Sequence, residues 1–181
     1  MCIRDRVNMG HQFVILSLIF HIFLTPLLVF RIHNLFFPIK EGNTDLSAKK
    51  YNPWWGSYMF QYPFIALPSL EAILHLIPGL YSLWLRMWGS KIGKKVVWTP
   101  RVQVLDRGLL EVGDRVVVGH MCAFCSHAIT AIDEKPMLKI SKVILGAKSF
   151  IGADSQFGPG VNIPAGEMVP AKSRKYWKGE Y

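Results

Sequence analysis

From Ile92 onward, apolar residues recur at six-residue steps, often with a glycine directly after: Val112-Gly113, Val118-Gly119, Leu145-Gly146, Ile151-Gly152 and Phe157-Gly158. Ile92-Gly93 opens the series, Trp98 and Val104 follow it, and Ile163 and Val169 extend it. A period of six fits neither the 3.6-residue helix nor an ordinary hairpin, and a β-sandwich would space its turns irregularly. It predicts a triangular coil in which each hexad supplies one short strand and one corner, and three hexads close a turn. The series then amounts to about four turns. The aliphatic residue of each hexad points inward, and so does a smaller residue four positions on: Val96, Val102, Val116, Cys122, Ala128, Ser149, Ser155 and Val161. Glycine after the aliphatic position lets neighbouring coils approach closely. The expected fold class is all-β, a left-handed parallel β-helix over residues 90–181, preceded by an α-helical membrane-associated region over 7–89.

That first region is apolar in a different way. Gln12 to Phe30 carries no formal charge and is long enough to cross about 30 Å of hydrocarbon as a helix. Pro38–Ser57 is polar and reads as a connecting loop, with Trp54 and Trp55 suited to an interfacial belt. Tyr58–Trp88 is apolar again but interrupted by Pro63, Pro68 and Pro78, which predicts a bent or interfacial helix pair. The net charge of +9 comes from lysines and arginines beside these segments, Lys49 and Lys50 before one and Arg86 to Lys95 after it. They are not interleaved with aromatics as in a nucleic-acid surface. Such placement suits anionic lipid on the cytoplasmic side of an inner membrane. Met1–Arg6 (MCIRDR) reads as translated adapter sequence rather than native protein, and the chain is expected to be a piece of a longer one at one or both ends. Cys122 and Cys125 alone, without a wider framework, fit a reducing compartment.

The runs WLRMWGSKIGKKVVWTPRV, GHMCAFCSHAI and VILGAKSFIGADSQFGPGVNIPAGEMVP, separated by one interrupting loop, resemble the hexapeptide-repeat acyltransferases, in particular the membrane-associated kind. The likeness covers roughly Trp84 to Lys178. It implies a homotrimer that moves an acyl group, commonly acetyl, from coenzyme A to a hydroxyl or amine, with sites between subunits and a histidine ahead of the interrupting loop as general base. His127, just before the excursion Thr130–Lys142, is the matching residue. Imidazole chemistry agrees, since its ordinary pKa near 6.5 lets it take a hydroxyl proton and return it to the leaving thiolate. With Ala128 turned into the coil, His127 is expected to face outward. Ser126 either hydrogen-bonds substrate or shapes the corner, and His120 is a second substrate-binding candidate. Asp133 and Glu134 could orient His127 or simply be solvated. The likeness places acyl-CoA (acetyl-CoA), a cosubstrate and not a tightly bound cofactor, near Gly152, Ala153, Lys172 and Arg174. The last coil is expected to be short.

His120, Cys122, Cys125 and His127 have the residue types of a zinc site, but Cys122 points in where His127 points out, so no metal ligand is assigned. A zinc lyase of the carbonic-anhydrase kind needs a third histidine in the repeats; a non-catalytic scaffold is the other alternative. A membrane lipid is an expected partner, nucleic acid is not, and a membrane segment favours a saccharide or lipid-linked acceptor delivered at the membrane.

Overall fold

A computed structural model describes residues 3–132 and 134–176, with side chains from 11 onward. Asp133, Trp177 and Lys178 therefore lie outside the described residues. Helix α1 (Ile3–Ile19) passes through one π-helical turn (Phe20–Leu24) into α2 (Thr25–Phe36). Pro26 causes the turn: it has no N–H for the carbonyl one turn back, and the wider turn accommodates its ring. Residues 11–36 form a continuous helix long and apolar enough to cross a membrane, six residues longer at its C-terminal end than the sequence suggested.

The polar stretch after it is not a plain loop. Gly42–Asp45 forms strand β1, and helix α3 (Pro53–Ala66) starts at Pro53, with the Asn52 side chain accepting from Trp54 N at 2.9 Å and proline at the first helical position. Then come α4 (Ser69–Ala72), a 3-10 turn (Ile73–Leu76) and α5 (Leu80–Trp88), which ends on Gly89 at φ 107°. These helices fill most of the first half of the chain, so the all-β expectation is corrected: apart from β1, the strands lie in the second half.

Twelve short strands in that second half make three four-stranded parallel sheets, as the six-residue step requires. Coil one holds β2 (Lys91–Ile92), β3 (Val97–Trp98) and β4 (Gln103–Val104). Coil two holds β5 (Leu110–Val112), β6 (Val117–Val118) and β7 (Ala123–Phe124). An antiparallel hairpin, β8 (His127–Ile132) and β9 (Lys135–Ile140), then leaves the coil, and β1 pairs with its outer strand. Coil three holds β10 (Val143–Leu145), β11 (Phe150–Ile151) and β12 (Gln156–Phe157). Coil four holds β13 (Asn162–Ile163), β14 (Met168–Val169) and β15 (Arg174–Lys175), so the last turn has all three sides rather than being cut short.

The repeated apolar residues stack in columns through in-register pairing: Ile92, Val112, Leu145 and Ile163 on one side, Trp98, Val118, Ile151 and Val169 on the next. On the third, Phe124 stacks on Phe157 at 5.3 Å. Val102, Val116, Cys122, Ser149, Ser155 and Val161 are buried between them, whereas Val96 and Ala128 are only half-buried. Ala128 departs because the coil breaks earlier than expected, at Ser126, and Ala128 already pairs across the hairpin with Lys139. The glycines allow the stacking: a Cβ on Gly113 would lie 2.5 Å from the backbone nitrogen of Ala147 in the next coil. Coil one is closed by α5, whose Trp84, Leu85 and Trp88 join the same core as Phe30 of α2 and Phe64 of α3.

Candidate active site

The hexad series contains one small irregularity. Val104 is followed by Val112, eight residues on instead of six. The extra residues make the corner Leu105–Leu109 bulge, and this bulge joins the helices to the coil. Arg107, 1% exposed, runs back under the helices, where its Nε and Nη2 bond Glu71 of α4 at 2.8 and 2.7 Å. The Trp84 indole donates to the same carboxylate at 2.7 Å, the Arg107 backbone N–H donates to Gln61 of α3 at 2.7 Å, and the guanidinium lies over Phe64. The bidentate pair is the strong form of this bond, while Arg107 Nη1 has no hydrogen-bond partner among the described residues.

The neighbouring Asp106 points the other way, toward the start of the hairpin. Its Oδ2 accepts from Ser126 N at 2.8 Å and from His127 Nδ1 at 2.7 Å, while Oδ1 accepts from the Trp54 indole at 3.1 Å. A carboxylate can only accept, so Nδ1 carries a proton and Nε2 is the nitrogen left for chemistry. Trp54 and Tyr58 of α3 flank the ring, the first tilted and the second edge-on, with centroids 4.6 and 5.4 Å away. His127 is thus half-buried, 14% exposed, not the freely outward residue expected. Trp54 is corrected too: the residue assigned to an interfacial belt is 3% exposed and belongs to this site.

Burial of the imidazole disfavours its charged form, but the hydrogen bond that Nδ1–H donates to Asp106, aided by Cys125 and by the Asp106 charge, reverses this and pushes the His127 pKa up to about 10. The Tyr58 phenol is pushed up as well, first by burial and then by Asp106. At neutral pH the resting site therefore holds an imidazolium against a carboxylate inside an aromatic clamp.

Ser126 is buried and its hydroxyl donates to the Leu109 carbonyl at 3.0 Å, so its side chain shapes the corner. Cys125 Sγ lies 3.6 and 3.9 Å from the two ring nitrogens and donates to the His127 carbonyl at 3.1 Å. Glu134 sits at the hairpin tip with φ 61°, and the acid that orients His127 is Asp106. The four-residue Cys/His cluster does not assemble, since Cys122 is buried and its thiol donates to the Gly152 carbonyl at 3.2 Å, while His120 is exposed at another corner. Asp106, Cys125 and His127 do bring three donor atoms within 4.8 Å of one another. Tetrahedral ligands about 2.0–2.2 Å from one zinc ion stand ~3.3–3.6 Å apart. The 2.7 Å between Asp106 and His127 is a hydrogen-bond length, and both Asp106 oxygens already accept from N–H groups.

His120 shares an edge with the proposed coenzyme-binding residues instead. Its carbonyl accepts from Asp154 N at 2.7 Å, and the Ala153 carbonyl accepts from Lys172 N at 2.8 Å, so His120, Gly152, Ala153 and Lys172 follow one corner up successive coils. Arg174 bonds the Asp154 carbonyl at 2.6 Å. His127 and Ser126 lie on the next corner of the triangle.

No family model matches the chain, and no curated protein matches it. Among solved structures, a hexapeptide-repeat-containing acetyltransferase from Vibrio cholerae aligns with 63% of this chain and 87% of its own, at 14% identity and a TM-score of 0.38. A likeness of that size leaves the site to be judged on its own geometry.

Proposed function

We propose that this chain is a membrane-associated acyltransferase, moving an acyl group, acetyl in the simplest case, from acyl-CoA to a hydroxyl or amine of a saccharide or lipid-linked acceptor. The observation that carries the proposal is the Asp106–His127 pair at the foot of the hairpin, with Nδ1 engaged and Nε2 left to work. Neutral Nε2 takes the acceptor proton as its oxygen attacks the thioester carbonyl; the tetrahedral adduct collapses, and the same nitrogen returns the proton to the departing coenzyme thiolate. Asp106 does not take the proton. It fixes the ring and stabilises the imidazolium between the two steps, as the carboxylate of a Ser-His-Asp relay does.

Acyl-CoA is assigned to the edge carrying Gly152, Ala153, Lys172 and Arg174, with His120 beside it. Because that edge and His127 occupy different corners of one coil, a homotrimer in which one subunit's edge faces its neighbour's His127 is the assembly that brings donor and base together. The 11–36 helix would anchor the enzyme in the inner membrane with the β-helix in the cytoplasm, where acyl-CoA is available. Membranes containing the protein, given acetyl-CoA and candidate acceptors, should release free thiol, and His127→Ala should slow the release by about 10²–10⁴-fold, the usual worth of a general base. Equal rates would remove His127 from the mechanism.

A further inference from the structure

A cavity of about 760 Å³ lies behind Trp54, away from His127. Its lining runs from Phe36, Phe37 and Pro38, where the membrane-length helix ends, past Lys40 and Lys50 to Trp54. The wall is fixed by the last turn of that helix: His33 Nε2 is 2.6 Å from the Tyr51 hydroxyl, and the Tyr51 ring meets Phe37 edge-on at 5.2 Å. A side chain on Gly56 would collide with both His33 and Tyr51, so the packing that fixes this wall requires glycine at residue 56. The carboxylate in the lining, Asp45, is occupied by Ser47, whose N–H and hydroxyl both donate to it. Lys40 and Lys50 are exposed and form no ion pair among the described residues.

We infer that this cavity binds an anionic phospholipid from the surrounding bilayer, its chain entering along Phe36 and Phe37 and its phosphate held between Lys40 and Lys50. Three features favour that occupant over a soluble metabolite. The mouth begins at the C-terminal end of the membrane-length helix, the lining beside that end is apolar and aromatic, and the two cations follow that end in the chain, where a headgroup would meet them and each lysine strengthens attraction to acidic lipid about fivefold. The inference rests on reading 11–36 as a membrane span. Trp54 is both the inner wall of this cavity and the plate against His127, so an occupied cavity also steadies the residue that holds the base.

The full chain, reconstituted in vesicles of equal parts phosphatidylcholine and phosphatidylglycerol, extracted in mild detergent and weighed by native mass spectrometry, should retain phosphatidylglycerol. Lys40→Gln with Lys50→Gln should weaken retention about thirtyfold. Ala48→Phe, which fills the lining and leaves both lysines, should abolish it. Flotation of all three proteins on pure phosphatidylcholine vesicles tests the span separately and should not differ. Retention unchanged in both variants, or no preference over phosphatidylcholine in the wild type, overturns the cavity assignment even if the protein floats. A protein that does not float refutes the span, and titration with short-chain phosphatidylglycerol then decides the cavity by itself. A second copy of the chain covering the cavity would appear as a dimer carrying no lipid, and would equally overturn the inference.

Discussion

At the scale of single residues, the histidine proposed as general base could be singled out in the sequence but its partner could not. The spacing sets His127 just ahead of the interruption, and in the structure it is the first residue of the hairpin itself. Asp106 lies 21 residues earlier, and its sequence trace is the eight-residue step from Val104 to Val112 in a series of sixes. That step shows that a corner bulges; it does not show which way Asp106 and Arg107 turn, because that depends on helices packing from outside the coil. Trp54 is not legible in the sequence for the same reason: an indole beside an apolar segment suits an interface, until an acid elsewhere in the chain offers an acceptor for its N–H. The pair makes a clear prediction for titration. Asp106→Asn removes the charge that holds the proton, so the His127 imidazole signals in an NMR titration should move from about 10 toward or below the ordinary histidine value, since burial then acts unopposed. The sign for stability follows. A raised folded-state value means that this pair stabilises the fold fully below the unfolded histidine pKa near 6.5 and loses that contribution as pH climbs through about 10. Thermal melts of the wild type should therefore lose a stabilising increment at alkaline pH that Asp106→Asn never had.

At the scale of elements, the β-helix followed from periodicity because every hexad repeats the same inward residue and the same close approach. The helices carried less information. Their prolines predicted bends, and bends are found, but whether a bent apolar segment lies in a bilayer or on a protein is settled by its partners. Here α3 and α5 turn Phe64, Leu85 and Trp88 onto the coil and close its first turn, while Trp54 of α3 packs with Leu109 and with Leu138 and Ile140 of the hairpin. The Glu71–Arg107 pair fastens that cap, both side chains being almost completely buried. Removing one partner leaves the other charge stranded, so Glu71→Ala should cost about 3–5 kcal/mol in denaturant unfolding. Glu71→Leu combined with Arg107→Met should recover a large part of that loss, which would distinguish a stranded charge from lost packing volume.

At the scale of the whole molecule, the two corners assigned to base and donor impose a geometric demand. If they meet across a subunit boundary, a preparation mixing His127→Ala chains with Lys172→Glu chains should regain thiol-release activity that neither variant has alone, because some interfaces then combine an intact base with an intact edge. Absence of recovery in verified mixed oligomers would place both functions within one chain.

In the proposed mechanism the proton affinity of His127, set by Asp106, governs transfer. Its most direct test is the pH dependence of thiol release from acetyl-CoA in the wild type and in Asp106→Asn. A resting imidazolium must first lose its proton, so the wild-type rate should rise about tenfold per pH unit and level off only near pH 10, while the variant, slower at its plateau, should level off several units lower. Superimposable profiles would contradict the claim.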